Sequence, residues 1–291
     1  MKLIDLDECV INALNLFTEE TLPKLNIKFK RPLVVGSGNA AVTGKMILED
    51  KNAIFADEGN YKHKLKKVKV DGAILISASG TKHAPIIAKE LKKRRIKTIL
   101  LTNNQNAPAS KFVKETLIFP KNSEPYTYNT STYMSILLAK TKESSKHILK
   151  QIKKIKYPKN LRKYDAFYMF VPEKFDLVRE MFMTKFDELF GSKISGRVFT
   201  VEQTKHAKTV VPSKKEFFIG IGCDDRYKLF GRHKMCIPLS SKANYAEVLA
   251  IGYYIIGQIQ KQHPQYFKNN IENYTKEASK LFKTKIEPIV K

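Results

Sequence analysis

The chain has 291 residues, 43% of them hydrophobic, and a formal net charge of +25 from 53 Lys and Arg against 28 Asp and Glu. That length suits two domains of about 150 residues or one large one. No apolar run approaches the ~18–20 residues of a membrane span, and Asp5, Asp7 and Glu8 interrupt any signal-peptide core in the opening MKLIDLDECV.

The charge excess is mostly lysine and is spread over both halves, with few of the arginines favoured for base and bidentate phosphate recognition. Zinc-finger spacing, a basic heptad region and an aromatic RNA-binding signature are all missing. We read a solvated lysine-rich surface, with no membrane partner and no nucleic-acid partner expected. Cys9, Cys223 and Cys236 are odd in number, far apart and without metal-ligand spacing. They predict reduced thiols and a cytoplasmic protein.

Leu6, Val10, Leu14 and Phe17 recur at roughly helical spacing, so an amphipathic helix is expected from Leu3 to Phe17. Leu33–Val35 is a short buried strand that empties into Gly36-Ser37-Gly38-Asn39, with a helix from about Ala40 to Leu48. Strand, glycine turn and helix make the geometry of a phosphate or ligand loop. It is no dinucleotide fingerprint, since the third glycine is missing, and Gly44-Lys45 lacks the surroundings of a Walker loop.

A second strand is expected over Asn52–Phe55, and Ala73–Ile76 is a run of the kind buried on both faces of a parallel sheet. It ends in Ser77-Ala78-Ser79-Gly80-Thr81, and a helical pattern follows in Ile86, Ile87, Ala88 and Leu91. Free N–H groups at a helix start, a glycine that admits close approach and three hydroxyls suit an anion such as a phosphate. A capped polar turn is the alternative, because Ser and Thr are ordinary capping residues. Thr98–Leu101 and Thr116–Phe119 complete an alternation that predicts a doubly wound parallel sheet with right-handed crossovers. The Gly36–Asn39 and Ser77–Thr81 loops should then meet at the carboxyl ends of the strands.

A third hydroxyl-rich turn, Glu124-Pro125-Tyr126-Thr127-Tyr128-Asn129-Thr130-Ser131-Thr132-Tyr133, opens a long helix expected from about Tyr133 to Lys150. Three such turns around one crevice describe a sugar or polyol site with a phosphate end. The charge run Ser144–Lys163 is broken by Pro158 and Asn160, which places a domain boundary there and divides the chain into 1–155 and 156–291. Beyond it the alternation restarts, with strands at Ala166–Val171, Arg197–Val201, Glu216–Ile221 and Cys236–Leu239 and helices at Glu173–Phe190 and Tyr245–Ile259. Gly222-Cys223-Asp224-Asp225 stands where a phosphate turn is expected, and an acidic pair repels phosphate. The second half therefore reads as a degenerate copy. The fold class is α/β, two doubly wound, flavodoxin-like domains in tandem.

VVGSGNA (Val34–Ala40), ISASGT (Ile76–Thr81), the tip Thr102-Asn103, and EPYTYNTSTY (Glu124–Tyr133) resemble the motifs of double sugar isomerase (SIS) domain proteins. KFDELFG (Lys185–Gly191) and VEQTKHA (Val201–Ala207) are similar to that family's second-half motifs. The resemblance implies that Ser37, Ser77, Ser79 and Thr81 hold a sugar phosphate, with Gly36, Gly38, Asn39, Gly80 and Thr130 lining the site. It implies that Glu188 is the base for proton transfer between C1 and C2, and that His206 opens the sugar ring, lent across a homodimer with a shared active site. Aldose–ketose isomerisation of a hexose or hexosamine phosphate through an enediol fits this set, with no metal or organic cofactor. Ala207-Lys208 replaces the family's Gly-Pro, and Lys268, Lys276 and Lys280 all compete for its carboxyl-terminal lysine. A non-catalytic phosphosugar sensor and an aminosugar-phosphate deaminase or aminotransferase are the other readings.

Overall fold

The structure, a computed structural model, describes residues 3–229 and 234–290. Compactness divides the chain into two units. The amino-terminal unit comprises residues 16–121 and 131–142, and the carboxyl-terminal unit comprises residues 1–15, 122–130 and 143–291.

The chain opens on helix α1 (Leu6–Glu19). The amino-terminal unit is built on five parallel strands: β1 (Pro32–Val35), β2 (Ile54–Ala56), β3 (Gly72–Ile76), β4 (Thr98–Thr102) and β5 (Glu115–Ile118), in the order β2-β1-β3-β4-β5. The crossovers are α2 (Asn39–Ile47), α3 (Tyr61–Lys67), α4 (Ala84–Lys93) and a 3-10 turn, Pro108–Phe112. β1, β3 and β4 are buried along their whole length, as their apolar runs require, with the Thr98 and Thr102 ends of β4 buried too. Right-handed connections put α3, α4 and the 3-10 turn on one face of the sheet. There Tyr61, Ile87, Ala88, Leu91 and Ala109 close over Leu33, Leu75 and Leu100 in one apolar cluster. Burying one such leucine contributes about 1.5–3 kcal/mol.

The chain order reverses between β1 and β3. This switch point is where a doubly wound sheet offers its ligand crevice, and it is flanked by the Gly36–Asn39 and Ser77–Thr81 loops.

Past the two-residue strand β6 (Glu124–Pro125), the expected long helix is two: α5 (Thr130–Thr141) and α6 (Ser145–Ile152). Lys142 takes a left-handed φ of 61°, and the Ser144 hydroxyl accepts the His147 N–H at 3.2 Å as the cap of α6. The break frees Glu143, whose carboxylate accepts the backbone N–H groups of Asn244 (2.7 Å), Ala246 (2.9 Å) and Glu247 (3.1 Å).

The carboxyl-terminal unit holds a four-stranded parallel sheet, β7 (Ala166–Val171), β8 (Ser195–Thr200), β9 (Glu216–Ile221) and β10 (Lys234–Ile237), in the order β10-β9-β7-β8. Its helices are α7 (Val178–Phe190), α8 (Val201–Lys205), α9 (Tyr245–Gln262) and α10 (Tyr266–Phe282), and β11 (Ile289–Val290) pairs antiparallel with β6. The chain is thus α/β with two parallel sheets. The start of α1 belongs to this unit: the Leu6 N–H donates to Gln260 Oε1 at 3.0 Å, and Asp7 meets Lys261 at 2.7 Å. Among the described residues no helix is long and apolar enough to cross a membrane.

The expectation of three reduced thiols is corrected for two of them. Cys223 and Cys236 form a disulfide with a Cα–Cα distance of 5.5 Å, while Cys9 is buried and free. β9 and β10 are parallel neighbours, and Gly222 N–H donates to Ile237 O at 2.8 Å. The sheet register, invisible in the spacing of 13 residues, brings the two cysteines together.

Candidate functional site

In the amino-terminal unit both predicted loops lie at the switch point. β1 ends at Val35, and Gly38 caps α2 with a φ of 52°, a backbone that a glycine adopts without strain. No side chain caps α2; the Ala40 N–H donates to Ser37 O at 3.1 Å and the Val42 N–H to Gly38 O at 3.2 Å, which leaves the Asn39 and Ala41 N–H groups to water or a ligand. Ser37 is exposed, and Asn39 is buried with its Oδ1 unpartnered.

The Ser37 hydroxyl donates to the carboxylate of Glu58. β1 and β2 end in register (Val35 beside Ala56), which brings Asp57 and Glu58 to the tip of the first loop. This acidic group at the proposed phosphate grip was not read from the sequence.

The second loop is held from within. Ser77 Oγ accepts the Gly80 N–H at 3.2 Å, and Ser79 Oγ lies 2.7 Å from Thr81 Oγ1. Gly80 has a φ of 63°, and a Cβ there would stand 2.5 Å from Ala107 Cβ. Neighbouring β4 braces the loop: Thr102 Oγ1 donates to Ala78 O at 2.7 Å, and Asn104 Nδ2 donates to Ser79 O at 2.8 Å. Asn103 Nδ2 donates to Thr132 Oγ1. The helical pattern expected after this loop is α4 (Ala84–Lys93). α4 starts at Ala84 behind Lys82-His83, so Ser77, Ser79 and Thr81 form a polar turn rather than the helix cap. Beside Glu58 a cavity of about 290 Å³ opens between Tyr61, Lys62, His83 and Ile87.

In the carboxyl-terminal unit, α7 buries Val178, Met181, Phe182, Lys185, Phe186 and Leu189, one stripe at helical spacing. Lys185 sits on that stripe with its side chain 0% exposed. Its ammonium donates to Thr127 O at 2.9 Å and to Glu188 Oε2 at 2.5 Å, and lies 5.7 Å from the Tyr128 ring centre and 5.6 Å from that of Tyr253. The carbonyl, the carboxylate and two ring faces compensate a buried charge that would otherwise be costly.

Glu188 is 25% exposed. Burial pushes its carboxyl above the ordinary range, against the opposing pull of Lys185 and Thr127. A carboxylate with a raised proton affinity beside a fixed cation is suited to taking a proton from carbon and returning it. Lys185 lies inside the motif read as KFDELFG, but no signal in the sequence marked it as buried. Thr130 opens α5, buried, with Oγ1 unpartnered and its N–H on Glu124 Oε2 at 2.9 Å.

His206 ends α8, a single turn fixed by a Thr200–Gln203 capping box, and its ring is exposed. Among the described residues no hydrogen bond or ion pair joins it to Glu188. Lys268 pairs with Asp5 at 2.8 Å, and Lys276 and Lys280 are exposed on α10. Among the described residues no group of three or more His, Cys, Asp or Glu is arranged to hold a metal ion.

No family model matches the sequence, and no curated protein matches it. Solved structures do match its fold. The glucosamine-6-phosphate deaminase of Thermotoga maritima is 17% identical, with a TM-score of 0.62 over 88% of this chain and 92% of that one. The C-terminal domain of glucosamine-fructose-6-phosphate aminotransferase from Francisella tularensis is 12% identical, with a TM-score of 0.61 over 87% and 92%. A proposed tagatose-6-phosphate ketose/aldose isomerase from Clostridium novyi NT is 14% identical, with a TM-score of 0.60 over 98% and 88%. The chain shares the SIS-type fold of these proteins.

Proposed function

We propose that the protein binds a hexose or hexosamine phosphate and interconverts its aldose and ketose forms through an enediol. The observation that carries the reading is Glu188, a carboxylate of raised proton affinity paired with the buried Lys185. In the reaction Glu188 removes the proton from the carbon next to the carbonyl, the freed electron pair forms the C1–C2 double bond, and the carbonyl oxygen is protonated. Delivery of that proton to the former carbonyl carbon, as the other enediol hydroxyl loses its proton and becomes the new carbonyl, completes the exchange. Ser37, Ser77, Ser79 and Thr81, with the uncapped start of α2, grip the phosphate and fix the register of the sugar. Gly36, Gly38 and Gly80 let the backbone approach it, and Asn39 and Thr130 are the other residues assigned to sugar binding. His206, lent by a second copy in a homodimer, opens the ring, and its exposure at the end of α8 leaves it free to reach another subunit. The reaction needs neither metal nor organic cofactor.

Binding is tested by calorimetric titration with glucose 6-phosphate, fructose 6-phosphate and unphosphorylated glucose. The expected result is saturable binding of the phosphorylated sugars alone, weakened at least tenfold by Ser77→Ala with Ser79→Ala. Equal affinity for glucose and glucose 6-phosphate would overturn the phosphate grip. Binding without isomerisation would leave a phosphosugar sensor.

A further inference from the structure

The excess charge has a place in the fold. Between Glu58 and Lys114 the chain carries fourteen Lys and Arg against three Asp and Glu, eleven of its twenty-five net charges. The segment runs through α3, β3, α4 and β4 to the start of β5, and its buried apolar residues face the two sides of the sheet, Tyr61, Leu75, Ile87, Leu91 and Leu100 in one cluster and Ile74, Ile76, Ile99 and Leu101 on the other face. Its cations therefore stand outward, and they gather at the amino ends of the strands, opposite the switch-point loops.

Arg31, Lys69, Lys97 and Lys114 stand one to three residues ahead of β1, β3, β4 and β5, and all four are exposed. The strands start side by side: Pro32 pairs with Gly72, Ala73 with Thr98 and Ile99 with Glu115. Three spacings of ~4.8 Å make a row of about 14 Å. Lys67 and Lys93, in the last turns of α3 and α4, widen it. Cations in a last helical turn answer the helix dipole, but the four ahead of the strands lie outside any helix. None of these six forms an ion pair among the described residues. The carboxylates at this edge are Asp71, which accepts the Lys30 and Arg31 N–H groups at 2.6 and 2.9 Å, Glu90, paired with Arg94 at 2.7 Å, Glu115, exposed at the start of β5, and Glu49 and Asp50, exposed between α2 and β2, with Asp50 paired to Lys140 at 3.0 Å.

We infer that this edge binds the phosphate backbone of a nucleic acid. The two strands of a duplex together carry a phosphate charge every ~1.7 Å of helix axis, so an edge with these six exposed cations can neutralise about five phosphates. The contacts are cations without base-reading groups, so the binding is independent of sequence. This revises the expectation of an evenly spread, merely solvating charge, and it holds whether or not the protein isomerises a sugar.

The test is fluorescence anisotropy of the full chain with a labelled 20-base-pair DNA duplex between 50 and 200 mM salt. Contacts to about five phosphates predict a log–log slope near −4.5, a loss of about 500-fold across that range. Replacing Lys67, Lys69, Lys93 and Lys97 by Glu should abolish binding at 50 mM salt. The same change at Lys153, Lys154, Lys156 and Lys159 should weaken it no more than threefold, with circular dichroism melts confirming that both variants fold. Equal losses in the two variants, a flat salt response, or tighter association with phosphatidylserine vesicles than with the duplex would each overturn the assignment.

Discussion

The ammonium of Lys185 lies 2.5 Å from the carboxylate of Glu188, one turn along α7, and the two side chains have different access to water: 0% exposed for the lysine, 25% for the glutamate. The lysine is a fixed interior charge, and the glutamate is the member of the pair that solvent reaches.

That asymmetry sets a pH dependence. Glu188 acts as base only when ionised, and burial raises its carboxyl while Lys185 pulls it back. The acid limb of kcat/KM should therefore lie above the ordinary glutamate value of 4.5, and Lys185→Met should move it to higher pH. Stability follows the same sign. The folded protein holds this proton more tightly than the unfolded chain, so the group's contribution is present at low pH and is lost as pH rises from 4.5 through the raised folded value. A limb unmoved in Lys185→Met would separate the lysine from the titration.

Glu58 sits on the Ser37 hydroxyl, and its charge opposes an arriving phosphate. Glu58→Gln keeps an acceptor and removes the charge. For an exposed pair the change is worth about 0.5–1 kcal/mol, so calorimetry should show sugar phosphates binding two- to fivefold more tightly. Weaker binding would mean that the carboxylate holds the sugar itself.

Gly80 combines a left-handed backbone with Ala107 standing where a Cβ would go. Gly80→Ala should cost about 2–3 kcal/mol in urea unfolding, the sum of left-handed strain and overpacking. Phosphosugar affinity should fall with it, since the loop carries Ser79 and Thr81.

Glu143 gathers three backbone N–H groups at the start of α9. Glu143→Ala should lower stability by about 2 kcal/mol, and Glu143→Gln should restore part of that through its remaining oxygen. Thermal melts of the two variants distinguish capping from a general loss of charge.

The fold was legible where burial forces an unbroken apolar run. Leu33–Val35, Ala73–Ile76, Thr98–Leu101, Ala166–Val171 and Glu216–Ile221 all mark strands of the structure. Serines and glycines directly after such runs located the switch-point loops for the same reason: a strand end in a parallel sheet fixes where its loop lies. What escaped depends on partners distant in sequence. The helix break at Lys142 exists for the start of α9, about a hundred residues on. β6 pairs with β11 at the far end of the chain. Glu58 reaches Ser37 only through the register of β1 with β2. The Cys223–Cys236 bond likewise follows from strand order. Lys185 escaped for another reason, since a lysine at an apolar-stripe position gives no sign of whether it snorkels to water or is caged.

The most direct test of the account is deuterium incorporation at C2, followed by NMR in deuterated buffer. Fructose 6-phosphate, glucose 6-phosphate, mannose 6-phosphate and glucosamine 6-phosphate are each offered to the purified protein. The account predicts exchange or interconversion for at least one of them, reduced by about three orders of magnitude in a folded Glu188→Gln variant. Binding with no exchange for any sugar, or exchange that survives Glu188→Gln, would contradict it.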